Sequence, residues 1–102
     1  MSANQIITDC YDYAQTTATV NVATVGSATA SYGYLRGIFV SAASGGPTIT
    51  VYDDPAAGTT TKIIDTFTPV AATFYSLPAK YKTGCNVVIG GTVSCTIFYN
   101  RP

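Results

Sequence analysis

The stretch from residue 34 to residue 54 constrains the fold more than any other part of the chain. It reads YLRGIFVSAASGGPTITVYDD, two runs of β-branched and aromatic residues on either side of a Gly-rich break. Ile49 and Val51 alternate with threonines, which is the period of a half-buried strand. Pro47 lacks a backbone donor and therefore belongs at the start of a strand. The stretch predicts two strands joined as a hairpin.

The same rhythm of short apolar runs and turn signals continues along the chain. Pro69 and Pro78 are expected to end strands, and Gly90-Gly91 to turn the chain back between the last two. Seven or eight short strands with turns every ~8–12 residues predict an all-β, single-domain antiparallel β-sandwich or a small barrel, and a sandwich is either jelly-roll or immunoglobulin-like. The further predicted strands cover residues 18–23, 62–68, 73–77, 85–89 and 92–99.

The first fifteen residues lack a clear period. Ile6 and Ile7 suit the start of a strand, but aspartates and tyrosines interrupt the pattern that follows. Residues 1–15 are therefore interpreted either as an edge strand or as an N-terminal arm that reaches a neighbouring subunit. Residues 16–102 are interpreted as the sandwich domain.

The low charge of the chain bears on its partners. Only 10% of the residues are charged and the formal net charge is zero, so the chain has no electrostatic footprint for nucleic acid. Apolar runs fall far short of the ~20 residues of a membrane span, and the first residues lack a secretory signal, so we expect synthesis in a cytoplasm. Such a surface is either partly covered by partners or belongs to a Thr-rich β protein that is soluble alone.

Three cysteines, Cys10, Cys85 and Cys95, are an odd number without CxxC spacing, which argues against a disulfide framework or a zinc site. With Gly90-Gly91 as a turn, Cys85 is expected opposite Thr96 or Ile97, too far from Cys95 for a disulfide. The sequence therefore predicts free, mostly buried thiols.

Candidate catalytic groups are few. Without histidine the usual triads and His-based metal sites are excluded. Asp53, Asp54 and Asp65 suit calcium by their chemistry, but aspartates that end strands and cap turns need no ion. We expect no enzymatic activity, no metal and no cofactor.

Tyrosines are frequent, and several lie close together in the sequence. An aromatic cluster suits either a carbohydrate platform or a protein–protein surface, and the scarcity of acidic ligands favours the protein partner. The clustered tyrosines are Tyr11, Tyr13, Tyr32 and Tyr34.

Several runs together resemble small virion proteins of tailed bacteriophages. They are GYLRGIFV at 33–40, GPTITVYDD at 46–54, YSLP at 75–78, YKTG at 81–84 and CTIFY at 95–99. Such proteins are compact β-sandwiches, often capsid decoration or cement proteins and sometimes modules on other virion parts.

The resemblance implies a structural protein on the capsid surface that stabilises the phage head by bridging major capsid protein subunits. It implies a homo-oligomer, with a trimer favoured, in which many weak contacts add through multivalency. A neck or tail adaptor, a fibre-associated module and a carbohydrate- or receptor-binding sandwich are the alternatives. In the arm interpretation, the implied partner contacts are Ile6, Ile7, Tyr11 and Tyr13.

Overall fold

A computed structural model describes residues 11–101 and contains six strands, all paired antiparallel. The predicted all-β, single-domain antiparallel class is confirmed. Within the described part no helix is long and apolar enough to cross a membrane. The strands are β1 (Asp12–Thr16), β2 (Val20–Asn21), β3 (Gly33–Tyr52), β4 (Lys62–Phe67), β5 (Thr73–Tyr81) and β6 (Asn86–Asn100), with a 3₁₀ turn at Val22–Thr24.

The sheet is four strand positions wide, with the long strands β3 and β6 at its centre and two short strands in succession at each outer position. We call these four positions tracks. Along the outer edge of β6, β1 and β2 follow one another, with Asp12 opposite Tyr99 and Asn21 opposite Asn86. Along the outer edge of β3, β4 and β5 follow one another in the same way. The order across the sheet is therefore β1/β2, β6, β3, β4/β5.

The two outer tracks are interrupted, and the two continuous central strands are irregular, at one level, where the sheet bends. The register between β3 and β6 shifts between Ser44 and Thr48, and Gly45, Gly46 and Gly91 there have φ of 66°, 71° and 68°. Glycine adopts this left-handed region without steric cost. A straight 20-residue strand would be ~66 Å long at ~3.3 Å per residue, but the longest dimension of the molecule is 46 Å. The long strands are therefore bent.

The bend brings the far ends of the sheet together. β5 ends at Tyr81 beside Gly33, whereas β6 begins at Asn86 beside Tyr52, at the opposite end of β3. Only residues 82–85 join these points, and such a segment spans at most ~18 Å. The two halves of the sheet therefore fold onto each other as a sandwich.

We call these halves layer 1 and layer 2. Layer 1 contains β1, β5, residues 33–44 of β3 and residues 92–100 of β6. Layer 2 contains β2, β4, residues 48–52 of β3 and residues 86–90 of β6.

The core lies between the two layers and is almost entirely apolar. Burying each Val, Leu or Ile side chain contributes about 1.5–3 kcal/mol, so this cluster supplies most of the driving force for closing the sandwich. Its fully buried members include Leu35, Ile38, Val40, Val93 and Ile97 from layer 1, Ile49, Val51 and Val87 from layer 2, and Val22, Tyr81 and Cys85 near the closed end.

Both predicted hairpins are wrong. The Gly-rich segments at 45–47 and 90–91 are facing irregularities in two continuous strands, so there are six strands, two of them long, instead of seven or eight short ones. Glycines that permit a tight turn equally permit a β-bulge. The choice depends on a partner strand about forty residues away, which local sequence does not specify.

Two other boundaries also differ from the prediction. β5 continues through Pro78, which is exposed on an edge strand where the register with β3 shifts and no ladder donor is required. The strand predicted over 18–23 is only Val20–Asn21, because the Asn21 side chain accepts from the Ala23 N–H and starts the 3₁₀ turn.

Candidate functional site

The outer face of layer 1 is formed by side chains that alternate with the core. In β6, Ile97 and Tyr99 are buried and Phe98 lies between them. In β3, Ile38 and Val40 are buried and Phe39 lies between them, 38% exposed. Because successive strand residues point to opposite sides of a sheet, both phenylalanines face away from the core.

Aromatic side chains from all four tracks meet on this face. Phe74 of β5 lies opposite Phe39, and Tyr13 of β1 lies opposite Phe98. The Phe74 and Phe98 rings are arranged edge to face with their centroids 6.2 Å apart. Phe74 is nevertheless 52% exposed and Tyr13 68% exposed. We call Tyr11, Tyr13, Tyr34, Phe39, Phe74 and Phe98 the aromatic face.

A glycine makes room for these rings. A Cβ at Gly37 would collide with the Phe74 ring and with the Tyr75 carbonyl oxygen. The bare backbone therefore forms part of the floor beneath Phe74. Beside it is a depression of about 410 Å³, lined by Tyr11, Arg36, Phe39, Phe74 and Phe98, a volume within the ~300–1,000 Å³ of ligand pockets.

Arg36 is the charged member of this depression. Its Nε donates a hydrogen bond to the Asn100 side-chain oxygen at 2.8 Å. Its guanidinium carbon lies 5.2 Å from the centre of the Tyr11 ring and 5.6 Å from that of Tyr34. Such cation–π contacts, together with the hydrogen bond, hold the guanidinium in place.

A second polar arrangement lies at the closed end of the sandwich, where residues 82–85 join the two layers. We call it the closing cluster, and it consists of Asn21, Asp53 and Asp54. The Asn21 amide nitrogen donates to the carbonyl oxygens of Asp54 and Ala56, both at 2.8 Å. Its oxygen accepts from the N–H of Ala23 at 3.1 Å and of Cys85 at 3.3 Å. One side chain therefore joins the end of β2 to the loops after β3 and before β6.

Asp53 joins the same loops through its carboxylate. It accepts from the N–H groups of Lys82 and Thr83 at 2.9 and 2.8 Å and from the Thr83 hydroxyl at 2.9 Å, with a longer contact to the Gly84 N–H. Partial burial raises the pKa of Asp53, but these hydrogen bonds outweigh it, and the net pKa is lowered.

The other two aspartates weighed for calcium also have protein partners. Asp54 accepts from the N–H groups of Ala56 and Gly58, and Asp65 pairs with Lys62 at 2.9 Å. In residues 11–101 no group of three or more candidate ligands comes together. These carboxylates therefore stabilise turns and strand ends.

The described cysteines are free and buried, as predicted, and Cys10 lies outside the described residues. Burial raises the pKa of Cys85 to about 12, with a smaller contribution from the charge of Asp53, and burial also raises the pKa of Cys95. The predicted pairing of Cys85 was wrong, because Cys85 precedes β6 and Cys95 lies opposite Val40.

Of the predicted partner contacts, Tyr11 and Tyr13 lie on the aromatic face, whereas Ile6 and Ile7 lie outside the described residues. The structure also places Asp12–Thr16 in a strand paired with β6. The clustered tyrosines divide, since Tyr32 lies beside Lys80 and lines a separate depression.

Sequence reasoning missed the three phenylalanines of the face. The available signal was a phenylalanine on the otherwise polar side of the last strand, at Phe98. Its neighbours Phe39 and Phe74 come from strands whose partners were not predictable from local sequence.

No protein-family profile, no curated protein and no solved structure matches this chain.

Proposed function

We propose that this protein is a structural virion protein, a capsid decoration or cement protein that bridges major capsid protein subunits through its aromatic face. The observation that carries the proposal is the set of half-exposed Tyr and Phe rings on one side of layer 1, with a single ordered arginine among them. Protein interfaces are enriched in aromatic residues and arginine and depleted in Lys, Asp and Glu.

The remaining polar chemistry supports a structural role. Three of the described aspartates, Asp53, Asp54 and Asp65, are engaged in turns or with Lys62, and the two described thiols are buried, which raises their pKa values. A bridging protein needs a stable body and a contact surface, and multiple copies around a symmetry axis make weak contacts additive. A homotrimer on the capsid surface fits this requirement.

A carbohydrate-binding sandwich is the second candidate, and the depression itself favours it. Aromatic rings beside Arg36 and Asn100 combine a stacking surface with polar groups. A neck or tail adaptor would use the same face as the cement protein and differs only in its place on the particle.

The test is a cryo-EM reconstruction of phage particles from cells that produce the protein, with its copies on each particle counted. Hundreds of copies in icosahedral arrangement with the aromatic face against capsid subunits are the expected result. A few copies on the portal axis would move the protein to the neck or tail, and particles without it would overturn the virion role. A glycan array then tests the sugar alternative, since a cement protein shows no saccharide preference.

A pair of variants links the particle to the face. The double variant Phe74→Ser/Phe98→Ser should bind particles at least tenfold more weakly, as expected for central aromatic contacts. Val70→Ser is the matched control, because Val70 is 61% exposed but lies in the turn between β4 and β5. Equal loss in both variants would contradict an interface centred on the aromatic face.

The arm interpretation needs a shorter truncation than residues 1–15. Asp12–Thr16 is part of the sheet, so a deletion that reaches residue 15 removes most of an edge strand together with any arm. Deleting residues 1–10 removes Ile6 and Ile7 and leaves β1 whole. Loss of particle binding with unchanged cooperative unfolding is expected if they are anchors, and full binding would exclude them.

A further inference from the structure

We propose that the aromatic face recognises a protein segment in which an apolar side chain lies next to a carboxylate. The apolar side chain would occupy the depression over Phe39, Phe74 and Phe98, and the carboxylate would pair with Arg36. The inference rests on the proposed function for its partner class, a protein surface, and adds the chemistry of the segment that is bound.

The charges of the outer side of layer 1 indicate the sign of the partner's charge. The outer side of layer 1 presents Arg36 and Lys80, on β3 and β5. Asp12 is the one described aspartate on a layer 1 strand, and alternation along β1 places it on the opposite side from Tyr13. The other described aspartates lie in β4 or the closing cluster. Among residues 11–101 the charges of this face are therefore positive, which is complementary to an acidic partner.

The geometry of Arg36 suits the binding of a carboxylate. Its Nε is engaged by Asn100, while the described residues place no carboxylate within ion-pair distance of the guanidinium. The two terminal nitrogens form the fork that binds a carboxylate bidentately. Because Tyr11 and Tyr34 contact the guanidinium, little side-chain freedom remains to be lost on binding.

The depression is shared by Arg36 and the three phenylalanines, which requires an occupant with both apolar and acidic groups. Arg36 lines the same depression as the three phenylalanines, so one occupant must contact both. A purely apolar occupant would bury the arginine without a counter-charge, which is unfavourable. A purely acidic occupant would leave the phenylalanines in water. A segment with adjacent apolar and acidic side chains satisfies both.

Charge also argues against a second copy of this chain as the occupant. A symmetric dimer through this face would bring the same patch together with itself. Two patches that each carry Arg36 and Lys80 would then face each other, and the described residues of the patch supply no carboxylate to either cation. An acidic partner of different sequence avoids this repulsion.

The experiment uses two tetrapeptides that differ only in charge, acetyl-Gly-Phe-Asp-Gly-amide and acetyl-Gly-Phe-Asn-Gly-amide. Each is titrated into the full-length isotope-labelled protein at low salt, and NMR follows the Arg36 Nε–H and the Phe39, Phe74 and Phe98 rings. We expect the acidic peptide to bind roughly three- to fivefold more tightly, the gain of an exposed but preorganised ion pair.

Variants assign the discrimination to named groups. Arg36→Gln should make the two peptides bind equally, and Arg36→Lys, which keeps charge but not the fork, should retain part of the difference. Phe74→Ala should weaken both peptides equally. Lys62→Gln, on β4 in layer 2, is the control cation and should leave the discrimination unchanged.

Equal binding of both peptides by the wild-type protein would overturn the inference, as would shifts confined to residues outside the aromatic face. Self-association that sedimentation detects and Phe74→Ser abolishes would assign the face to a second copy instead. Particle binding with no acidic preference would remove the inference alone. An acidic preference without any particle binding would remove the virion role and leave the recognition chemistry standing.

Discussion

The closing cluster and the aromatic face place opposite kinds of chemistry at the surface of one small sandwich. In the closing cluster, Asn21 and Asp53 accept or donate eight hydrogen bonds within the chain, counting the longer contact to Gly84. On the aromatic face, Phe74 and Tyr13 remain more than half exposed beside an arginine. One region has its partners inside the molecule, and the other presents groups whose burial needs a partner outside it.

This contrast predicts that the closing cluster contributes mainly to folding stability and the aromatic face mainly to binding. Removing a polar group with several protein partners leaves each partner without its hydrogen bond, at about 0.5–1.5 kcal/mol each and less where water can replace it. Removing a half-exposed ring changes the free energy of unfolding little, because much of the ring is already in water. Substitutions in the two regions should therefore have opposite consequences for folding and for binding.

The largest expected effect on stability is that of Asn21→Ala. Its loss leaves two carbonyl oxygens and two N–H groups without their partner, and should lower the free energy of unfolding by about 2–3 kcal/mol. Urea unfolding measures this directly. The same substitution beside the aromatic face, Asn100→Ala, removes one hydrogen bond to Arg36 and is the control. It should cost less than about 1 kcal/mol, and an equal cost would remove the distinction between the regions.

Asp53 should make the closing cluster sensitive to acid. Its folded-state pKa lies below the ordinary 3.8, so its contribution is fully present above about pH 4 and is lost as pH falls through the folded-state pKa. Asp53→Asn should cost about 1–2 kcal/mol at pH 7, allowing for solvent screening, and flatten the stability profile below pH 4. Urea midpoints between pH 7 and pH 2 test this, and an unchanged acid-induced loss in the variant would refute it.

The control for that profile is Asp12→Asn, an exposed aspartate at the start of β1. It should follow the wild-type midpoints from pH 7 to pH 2. A flattened profile in this variant as well would show that the acid response belongs to the total charge and not to the closing cluster.

Phe74→Ser should show the opposite balance. The ring keeps its edge-to-face contact with Phe98, so its loss should lower the free energy of unfolding by about 1 kcal/mol, yet weaken binding to the particle or the acidic tetrapeptide severalfold or more. Parallel urea unfolding and binding titrations separate the two quantities. A large loss in the free energy of unfolding with normal binding would show that the aromatic face stabilises the fold and does not contact a partner.

The smallest effect is expected for Tyr13→Thr. At 68% exposure on an edge strand, Tyr13 should change the free energy of unfolding by no more than about 0.5 kcal/mol. A double-mutant cycle with Phe98→Ala measures the coupling across this pair, expected at about 0.2–1 kcal/mol. A coupling of several kcal/mol would show that β1 is held mainly by this contact.

The sequence predicted the fold class well because alternation is local. Ile49, Val51 and Ile97 lie on the buried side as their period requires, and Cys85 and Cys95 are buried thiols. Tyr11 and Tyr13 were predicted as contacts only through the arm interpretation, together with Ile6 and Ile7. Both residues lie at the β1 edge of the aromatic face, and their role as contacts stays a prediction.

The remainder depended on contacts between distant residues. The pairing of Phe39 with Phe74 needs β5 beside β3, and the role of Gly37 becomes visible only when the Phe74 ring lies over it. The local sequence predicts only that Asp53 ends a strand, but its hydrogen bonds reach Thr83, thirty residues later. Such separations are invisible to a pattern that extends over a few residues.

By itself, the sequence determined that the chain forms antiparallel strands with one apolar side each, because side-chain alternation and glycine or proline breaks act over neighbouring residues. Only the tertiary structure decided whether a Gly-rich break turns the chain back or bends it. At Gly45 and Gly91 the paired strand continues past both breaks, so a bend retains the β3–β6 ladder while allowing both layers to bury one core. The free energy of that shared core comes from residues far apart in sequence, and it selected the bent sheet over two hairpins.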